Sequence, residues 1–524
     1  MKWWQRGIIY QVYPRSFMDG NGDGTGDLLG ITSRLDYLEW LGVDAIWISP
    51  IFPSPMADFG YDVSDYTDVD SLFGTLGDFD RLLAGAHRRG IRVVLDYVPN
   101  HTSDRHPWFV ESRASRDNPR RGWYVWRDPS PDGGVPNNWL GAFGGSAWEW
   151  DPATGQYYLH TYLREQPDLN WRNPEVLAGM LKVLRFWFDR GADGFRIDAL
   201  RQVMKDDRFR DNPPNPNWTP EQRPYDSLLP VYSSDRPENL EIVRHFREVA
   251  DSYPDRVLIG ELWLSIDRLV AYYGKNGLHL PSNFHLIFTP WTARSVSALI
   301  ETYEAALPPG AWPNWVLGNH DRSRIASRVG QAQARVAAML LLTLRGTPTL
   351  YNGDEIGMHD VPIPREAVRD PFERNVPGLG LGRDPERTPM QWDAGPNAGF
   401  STTAPWLPLA DDYPRINVAG QCGDPRSMLT LHRSLIQLRR TTPALAVGAY
   451  RTVHTDDNVL VYDRVAGSER RRVALNFSSA PRELAWYGPH LRILLSTHLD
   501  RSGACSADRL ELRANEGVVL DIGA

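Results

Sequence analysis

The chain has 524 residues, of which 42% are hydrophobic and 23% are charged, and its formal net charge is -8. This length exceeds one small core and predicts about two to four domains, or one large barrel with attached domains. The composition is that of a globular protein, and the acidic balance excludes a basic stripe for nucleic acid.

The cysteine content and the apolar runs predict the compartment. Cys422 and Cys505 are far apart and encode neither a disulfide framework nor a zinc site. The N-terminal stretch MKWWQRGIIYQVYP has no basic segment leading into an apolar one, and no run of about 18 apolar residues occurs. We therefore expect a cytoplasmic protein that neither spans nor anchors to a membrane.

Eight short apolar runs, each ending in polar, Gly or Pro residues, predict the strands of a parallel sheet. In chain order they are IIYQVYP (8–14), DAIWISP (44–50), IRVVLDYVPNH (91–101), GFRIDAL (194–200), RVLIGELW (256–263), NFHLIF (283–288), NWVLGNHD (314–321) and TPTLYNGDE (347–355). Amphipathic stretches such as 76–90 and 176–191 lie between them and end in basic residues and Gly, as helix C-termini prefer. Eight such units predict an α/β protein with a (β/α)8 TIM barrel, whose reactive groups lie at the C-terminal ends of the strands.

Two segments depart from this alternation. From His101 to about Gln166 the chain is rich in Gly, Pro, Asn and Trp, which predicts a subdomain inserted after the third strand. From about Pro443, short alternating runs predict a C-terminal antiparallel β domain. We expect the barrel to comprise residues 1–101 and 167–442. The inserted subdomain is expected at 102–166 and the β domain at 443–524.

The stretch DGNGDGTGD (19–27) follows the first predicted strand and alternates oxygen donors with glycines. The first, third, fifth and ninth ligand positions of an EF-hand loop are matched by Asp19, Asn21, Asp23 and Asp27. The twelfth position is Gly30 in place of Glu, and a strand precedes the loop where an EF-hand has a helix, so a calcium sensor is excluded. The stretch is either a cation-binding loop or a metal-free loop of Asx turns.

Three predicted strand ends carry acids. In GFRIDAL, the strand period of two places Arg196 and Asp198 on one face. Burying such a charged pair costs free energy, so packing alone rarely explains it. Either the two residues form an internal salt bridge, or Asp198 is a nucleophile that the Arg196 guanidinium keeps ionised. Glu261 ends the next strand among apolar neighbours, which favour a protonated acid, and Asp321 ends the seventh beside His320.

Carboxyls on adjacent strand ends can lie about 5 to 5.5 Å apart, the separation that retaining glycoside hydrolysis requires. One of them attacks the sugar, while the other donates a proton and later removes one. Each stretch alone is weak evidence, but their order along one barrel predicts this chemistry.

Four stretches, in this order, resemble the signature regions of the α-amylase superfamily, glycoside hydrolase family 13. They are DYVPNH, GFRIDAL, GELW and LGNHD. QPDLN (166–170) and GRDPERTPMQWD (382–393) resemble its α-glucosidase and oligo-1,6-glucosidase branch. The resemblance runs from about Trp3 into the C-terminal domain. It implies an exo-acting, retaining α-glucosidase that releases glucose from the non-reducing end of α-linked disaccharides and short oligosaccharides.

Matching these motifs residue by residue implies roles for individual side chains. Asp198 is the implied nucleophile, Glu261 the acid/base and Asp321 the transition-state stabiliser, with Arg196 orienting the nucleophile. The terminal glucose would be held by His101, His320, Asp58, Tyr61 and Arg383. Arg387 is a weaker candidate for the arginine that pairs with Asp58, and a mere surface ion pair is the alternative.

The resemblance further implies a structural cation and a linkage preference. The cation, Ca²⁺ or else Mg²⁺, would be held away from the catalytic centre by Asp19, Asn21, Asp23, Asp27 and the Thr25 carbonyl. Related enzymes tend to carry Val after the nucleophile where α-1,6 bonds are preferred and Thr where α-1,4 bonds are preferred, whereas this chain has Ala199. One or two methyl groups give only about 1 to 3 kcal/mol of discrimination, so broad linkage selectivity and poor activity on starch are expected.

Two other functions are compatible with these residues. A glucosyltransferase, trehalose synthase or sucrose isomerase would deliver glucose from the same covalent intermediate to a sugar hydroxyl. The second alternative is a non-catalytic protein of this superfamily that only binds carbohydrate. The retention of Asp198, Glu261 and Asp321 argues against it. The expected partners are small α-glucosides, with neither nucleic acid nor a membrane.

Overall fold

A computed structural model describes residues 1–485, 491–504 and 509–522. Cys505 lies outside these residues. The barrel strands are β1 (Ile9–Val12), β2 (Ala45–Ile48), β3 (Arg92–Tyr97), β4 (Gly194–Ile197), β5 (Val257–Gly260), β6 (Leu280–Asn283), β7 (Asn314–Val316) and β8 (Thr347–Tyr351). All neighbouring pairs are parallel, and β8 pairs with β1 to close the ring. The predicted TIM barrel is therefore confirmed.

The longer helices pack around this ring. Their bounds are Leu28–Ser33, Leu35–Leu41, Leu76–Arg88, Pro174–Arg190, Asn239–Asp251, Ala293–Ala306, Ile325–Thr343 and Met428–Thr441. Helix Leu76–Arg88 begins at a capping box in which Thr75 and Asp78 exchange hydrogen bonds. Helix Pro174–Arg190 ends at Gly191, whose φ of 109° is readily adopted only by glycine. The two amphipathic stretches named above thus form helices, as predicted.

The sixth strand was predicted at 283–288, and that position is wrong. The strand occupies Leu280–Asn283, and residues His285–Phe288 form a helical turn. The Asn283 side chain explains the break, since its Oδ1 accepts a hydrogen bond from His285 N at 3.0 Å. An Asn that bonds to the backbone two residues onward ends a strand and starts a turn.

The inserted and C-terminal segments contain the expected antiparallel sheets. After helix Pro107–Ala114, strand Gln156–Leu159 lies between Trp126–Arg127 and Trp148–Asp151. The C-terminal sheet has the order Ala449–Thr455, Val459–Ala466, Glu469–Asn476, Gly517–Asp521, Arg492–Ser496 and Gly503–Ala504, and Arg482–Ala485 pairs separately with Arg509–Leu512. The domain boundaries given above stay predictions. No helix in the described part of the chain has the length and apolarity to cross a bilayer.

Candidate active site

The ends of β3, β4 and β5 bring three acids to one guanidinium. Arg196 Nη1 lies 2.6 Å from Asp198 Oδ1 and 2.9 Å from Asp96 Oδ1, and its Nη2 lies 3.0 Å from Glu261 Oε2. All four side chains are buried. Arg196 and Asp198 share one strand face, as the alternation predicts, and the parallel register of β3 with β4 sets Asp96 beside Arg196.

One guanidinium does not compensate three buried carboxylates. Burial raises the pKa of Asp198 well above its usual range, the neighbouring Glu261 carboxylate adds to this, and Arg196 opposes it. Burial also raises the pKa of Asp96 to about 6, again against Arg196. Arg196 therefore favours the ionised form of Asp198, whereas burial and Glu261 oppose it, and the ionisation of Asp198 by its guanidinium partner stays a prediction.

Glu261 follows β5 directly, and its surroundings are more polar than the neighbouring sequence indicates. Its Oε2 accepts a hydrogen bond from Ala199 N at 2.8 Å, and its Oε1 accepts one from Trp263 Nε1 at 2.6 Å. Ala199 has a left-handed backbone, with φ 46°, directly after Asp198. The hydrogen bond from Ala199 N to Glu261 ties the two acids together, and both oxygens of Glu261 are thus fixed in position.

Asp321 lies in the loop after β7 and contacts two arginines. Its Oδ1 is 2.7 Å from Arg387 Nη2 and 3.4 Å from Arg383 Nη1. Burial opposes ionisation, but His320, Arg387 and Arg383 lower the pKa of Asp321 well below its usual range. Burial in turn lowers the pKa of His320 far enough to keep it neutral, so the charge that stabilises the Asp321 carboxylate comes from the arginines. A permanent carboxylate here suits a cationic transition state.

A second ion pair lines the same site. Arg383 Nη2 lies 2.7 Å from Asp58 Oδ1 and 2.6 Å from Asp370 Oδ1. All three are buried, with Asp58 4% and Arg383 7% exposed, so this is not a surface pair. Arg387 donates hydrogen bonds to Asp321 and to the His320 carbonyl, and it makes neither a hydrogen bond nor an ion pair with Asp58. Arg383 is therefore the arginine that pairs with Asp58.

The remaining predicted sugar-binding residues join these two clusters. Tyr61 Oη is 2.7 Å from His320 Nε2 and 3.1 Å from Asp96 Oδ2, and its ring stacks on His320 with an interplanar angle of 3°. His101 Nε2 lies 3.1 Å from Gln166 Nε2 and from the Tyr61 carbonyl. Burial lowers the pKa of His101 to about 4, so its ring is neutral near pH 7.

One cavity of about 740 Å³ connects these groups. Its lining includes Asp58, Tyr61, His101, Asp198, Glu261, Asp321 and Arg383. Arg196 and His320 lie behind this surface, where they contact the lining carboxylates and Tyr61. The structure therefore brings together every catalytic and sugar-binding residue that the sequence nominated.

Several residues of the site were missed. Asp370 supports Arg383, Gln166 bridges Asp58 and His101, and Asp96 is the third acid on Arg196. Asp96 lies in DYVPNH, and its place at a strand end was a usable signal. The outer wall comes from Trp263, Phe284, Phe288 and Arg322, and from Asn215, Arg223, Tyr225 and Leu229. The last group lies in an irregular segment without periodicity, so no sequence signal places it at the cavity.

The loop 19–27 lies outside this cavity. Its side chains accept main-chain hydrogen bonds: Asp19 Oδ2 from Gly24 N at 2.8 Å, Asp23 Oδ1 from Thr25 N at 2.8 Å, and Asp27 Oδ1 from Gly30 N at 2.6 Å. Asn21 Oδ1 accepts from Asp23 N at 2.9 Å. The loop therefore has the geometry of Asx turns, with Asn21 and Asp23 exposed. These hard oxygen donors have the chemistry that Ca²⁺ selects.

The loop aspartates are not clustered closely enough to form a ready metal centre. In the described residues, one set of three His, Cys, Asp or Glu side chains has ligand atoms within 4.8 Å of one another, and it is His498, Asp500 and Glu516. Two arginines already bind that set, because Arg513 contacts both acids and Arg501 contacts Glu516. The three aspartates of the loop 19–27 do not form such a set.

Comparison with known proteins gives consistent matches. The family model "Alpha amylase, catalytic domain" matches residues 11–448. A "Probable alpha-glucosidase" of Rhizobium meliloti (strain 1021) is 45% identical over 501 residues, covering 92% of this chain and 91% of that protein. The "Oligo-1,6-glucosidase" of Parageobacillus thermoglucosidasius is 38% identical over 516 residues, covering 91% and 90%.

Solved structures resemble the whole chain. The crystal structure of the alpha-glucosyl transfer enzyme XgtA has a TM-score of 0.95 at 42% identity and covers 99% of both chains. The trehalulose synthase MutB of Pseudomonas mesoacidophila MX-45 has a TM-score of 0.90 at 37% identity, again with 99% of both chains covered. The architecture and the order of the strands are thus shared along the full length.

Proposed function

The chain belongs to the α-amylase catalytic-domain family of glycoside hydrolases, and on that premise we propose that it is an exo-acting, retaining α-glucosidase acting on α-linked disaccharides and short oligosaccharides. The observation that carries the proposal is the pairing of Asp198 and Glu261 on Arg196, in a cavity that the ion-paired Asp58 and Arg383 also line. The α-glucosidase names of relatives at 38 to 45% identity support the substrate class.

The proposed reaction is a double displacement. An Asp198 oxygen attacks the anomeric carbon while Glu261 gives its proton to the departing glycosidic oxygen, which leaves as an alcohol. Glu261, now ionised, removes a proton from water, and the resulting nucleophile displaces Asp198 and releases glucose with its configuration retained. The hydrogen bond from Ala199 N to Glu261 keeps the acid in place in both steps. The Asp321 carboxylate stabilises the positive charge that develops on the sugar ring.

The Asp58–Arg383 pair in the cavity wall supports exo action. Asp58 and Arg383, with Gln166 and His101 beside them, present charged and polar groups to the hydroxyls of one terminal glucose. Because Asp370 also contacts Arg383, opening the cavity at this pair would break two buried ion pairs. A chain that continued past the terminal residue would collide with this pair, which argues for poor activity on internal bonds of starch.

One experiment tests the reaction and its mode together. p-Nitrophenyl α-glucoside and soluble starch are supplied separately, and the first sugar product is followed by proton NMR. We expect α-glucose from the nitrophenyl glucoside, with slow release of glucose from starch and no early fall in starch viscosity. β-Glucose as first product would contradict retention, and a rapid fall in viscosity would contradict exo action.

Glucosyl transfer is the second candidate function. Beside Glu261, the Trp263 ring stacks on Phe284 at 4.0 Å, and Phe288 is 61% exposed at the same wall of the cavity. Aromatic faces can hold an acceptor sugar against the intermediate. Product analysis at high sucrose or maltose concentration separates the functions, because transfer yields new oligosaccharides or isomers while hydrolysis yields free monosaccharides.

The pH dependence of kcat/KM should be bell-shaped. Activity requires one proton on the Asp198 and Glu261 pair, so it should fall on the acid side as the pair gains a second proton and on the alkaline side as it loses the last. Asp321 has a lowered pKa and stays ionised throughout, and His101, with a pKa of about 4, is neutral across the optimum. The profile from pH 4 to 9 with maltose, whose leaving group needs protonation, is the measurement. A flat profile would contradict the assignment, and Glu261→Gln should abolish the alkaline limb.

We further propose that Asp19, Asn21, Asp23, Asp27 and the Thr25 carbonyl hold Ca²⁺, or Mg²⁺ in its place. Their oxygen chemistry supports this, and binding would stabilise the loop without taking part in catalysis. A cation present at 100 times its Kd should add about 2.7 kcal/mol to the free energy of unfolding.

Chelation should therefore lower the melting temperature and leave the initial rate at 25 °C nearly unchanged. The measurement is a thermal melt with EDTA, CaCl₂ or MgCl₂, together with metal content by mass spectrometry. Asp23→Ala should abolish the response, whereas Asp36→Ala, an exposed acid on a neighbouring helix, should keep it. If EDTA changed neither the melting temperature nor the metal content, the loop would be metal-free.

Linkage selectivity should be broad and should depend on Ala199. Ala199→Val adds two methyl groups directly beside Asp198, and we expect a several-fold rise in the isomaltose to maltose ratio of kcat/KM. Because a β-branched residue is strained at φ 46°, the melting temperature should also fall. Ala199→Gly, which fits this backbone without adding bulk, is the control. An unchanged ratio in Ala199→Val would exclude this position as the determinant.

We also propose a cytoplasmic location. The small number of cysteines, of which Cys422 is free and exposed, supports a reducing compartment. Fractionation of the source cells with an antibody against the chain would test it, and recovery outside the cytoplasm would contradict it.

A further inference from the structure

A second cavity, of about 410 Å³, lies between the inserted sheet and the segment that follows β4. Its walls include the strand Trp126–Arg127, Gln156, and the segment from Val203 to Asp207. None of the residues assigned to catalysis or sugar binding above lines it. It is therefore a separate site, and Lys205 separates it from Asn100 and Asp168, which Nζ contacts at 2.7 and 2.6 Å.

The lining is cationic in a chain whose net charge is -8. Its charged members are Arg116, Arg121, Arg127, Arg172 and Lys205, against Asp206 and Asp207. Three of the cations have carboxylate partners outside the lining, since Arg116 pairs with Asp128, Arg172 with Glu238 and Lys205 with Asp168. Asp206 is likewise bound by Arg210. The charges left for a ligand are those of Arg121, Arg127 and Asp207.

Within the described residues, neither Arg121 nor Arg127 has a carboxylate within 4.0 Å. Aromatic rings hold both guanidiniums in place, with Arg121 lying 3.4 Å from the centre of the Trp126 ring and Arg127 lying 3.8 Å from that of Phe209. Burial lowers the pKa of Arg121 to about 10 and lowers that of Arg127. Arg121 also donates hydrogen bonds to the Ser112 carbonyl, Thr154 Oγ1 and Gln156 Oε1, whereas the exposed Arg127 donates one to the Trp126 carbonyl. Both positive charges are thus oriented, and Arg127 keeps most of its donors free.

We propose that this cavity binds a small sugar phosphate. A phosphate monoester carries nearly two negative charges at pH 7, which match the two guanidiniums, and the planar fork of arginine fits phosphate oxygens. The Arg127 guanidinium, which is stacked on the Phe209 ring, has donors free for such bonds, and Arg121 adds its positive charge. Asp207 would repel a second anion but accepts hydroxyl hydrogens.

Inorganic phosphate offers the same charge without hydroxyls, so the comparison of ligands is informative. Isothermal titration calorimetry with glucose 6-phosphate, inorganic phosphate and glucose should give binding in that order of affinity. Binding of glucose 6-phosphate should weaken as salt is raised from 50 to about 500 mM, because much of it is electrostatic. Equal affinity for both phosphates would overturn the sugar part of the proposal, and no binding of either would overturn the site.

Variants locate the ligand without reference to the reaction. Arg127 is exposed and donates a hydrogen bond to the Trp126 carbonyl. Arg127→Glu should therefore preserve the fold. This variant should bind glucose 6-phosphate at least tenfold more weakly and should hydrolyse p-nitrophenyl α-glucoside at an unchanged rate. Asp207→Asn should weaken glucose 6-phosphate but not inorganic phosphate. Arg294→Gln, an exposed arginine far along the chain that pairs with Asp457, is the control and should change neither.

The combined outcomes separate this site from the catalytic one. Unchanged affinity in Arg127→Glu would place any bound sugar phosphate elsewhere and overturn the proposal. Failure of the α-glucosidase assignment would leave the calorimetric result standing, because none of these measurements depends on turnover.

Discussion

Asp198→Ala should lower kcat for maltose by about four to six orders of magnitude, the range observed when a nucleophile is removed. No other oxygen on this side of the cavity can take its place, since Glu261 is held by Ala199 N, Trp263 Nε1 and Arg196. The measurement is steady-state hydrolysis, supported by a search for a covalent glucosyl adduct by mass spectrometry with a slow substrate. The wild-type chain should show the adduct and the variant should not.

Stability separates this effect from unfolding. Burial raises the pKa of Asp198, so its ionised form is destabilising at neutral pH, and Asp198→Asn should keep or raise the melting temperature. Asp226→Asn is the matched control, because Asp226 lies on the outer wall of the same cavity and pairs with Arg223. It should retain turnover within about tenfold of wild type. Residual activity in Asp198→Ala near that of Asp226→Asn would exclude Asp198 as nucleophile.

Glu261→Gln should lower kcat/KM for maltose by about two to four orders of magnitude, the usual contribution of general acid catalysis. The amide preserves size, but its one oxygen can accept only one of the two bonds from Ala199 N and Trp263 Nε1, and it supplies no proton. A leaving group that needs no protonation should escape this loss. We therefore expect p-nitrophenyl α-glucoside to glucosylate the variant and give a burst of nitrophenolate, followed by slow turnover.

Azide provides the control for the second half of the reaction. Azide is a nucleophile that needs no general base. It should therefore accelerate transfer of the glucosyl group away from Asp198 in the Glu261→Gln variant, with glucosyl azide as the product. It should not accelerate the Asp198→Ala variant. Equal losses for maltose and the nitrophenyl substrate, with no rescue by azide, would remove Glu261 from the acid/base role.

Local patterns predicted much of the fold. Seven of the eight predicted barrel strands contain the observed strands, because buried parallel strands are continuous apolar runs that end at polar residues. The sixth failed for an equally local reason: NFHLIF is apolar enough for a strand, but the Asn283 side chain bonds to the next turn and starts a helix. Strand Leu280–Asn283 contains a Pro and a Ser and has little apolar signal.

The positions of the proposed catalytic residues were predictable because barrel geometry gathers strand ends. Asp198, Glu261 and Asp321 each follow a strand, so recognising the strands was enough to bring them together. Their electrostatics were not predictable in the same way. Whether Asp198 is ionised depends on how many acids share Arg196, and Asp96 and Glu261 reach that guanidinium from other strands.

The sequence alone determined the barrel, the order of the motifs and the identity of the three acids, because each depends on residues within one strand and its following loop. The tertiary structure decided which charges face each other: Arg383 rather than Arg387 against Asp58, two arginines on Asp321, and the unpaired Arg121 and Arg127 around a second cavity. These pairings join residues far apart in the chain. Coulomb energies depend on separation and burial in space, which spacing along the chain does not specify.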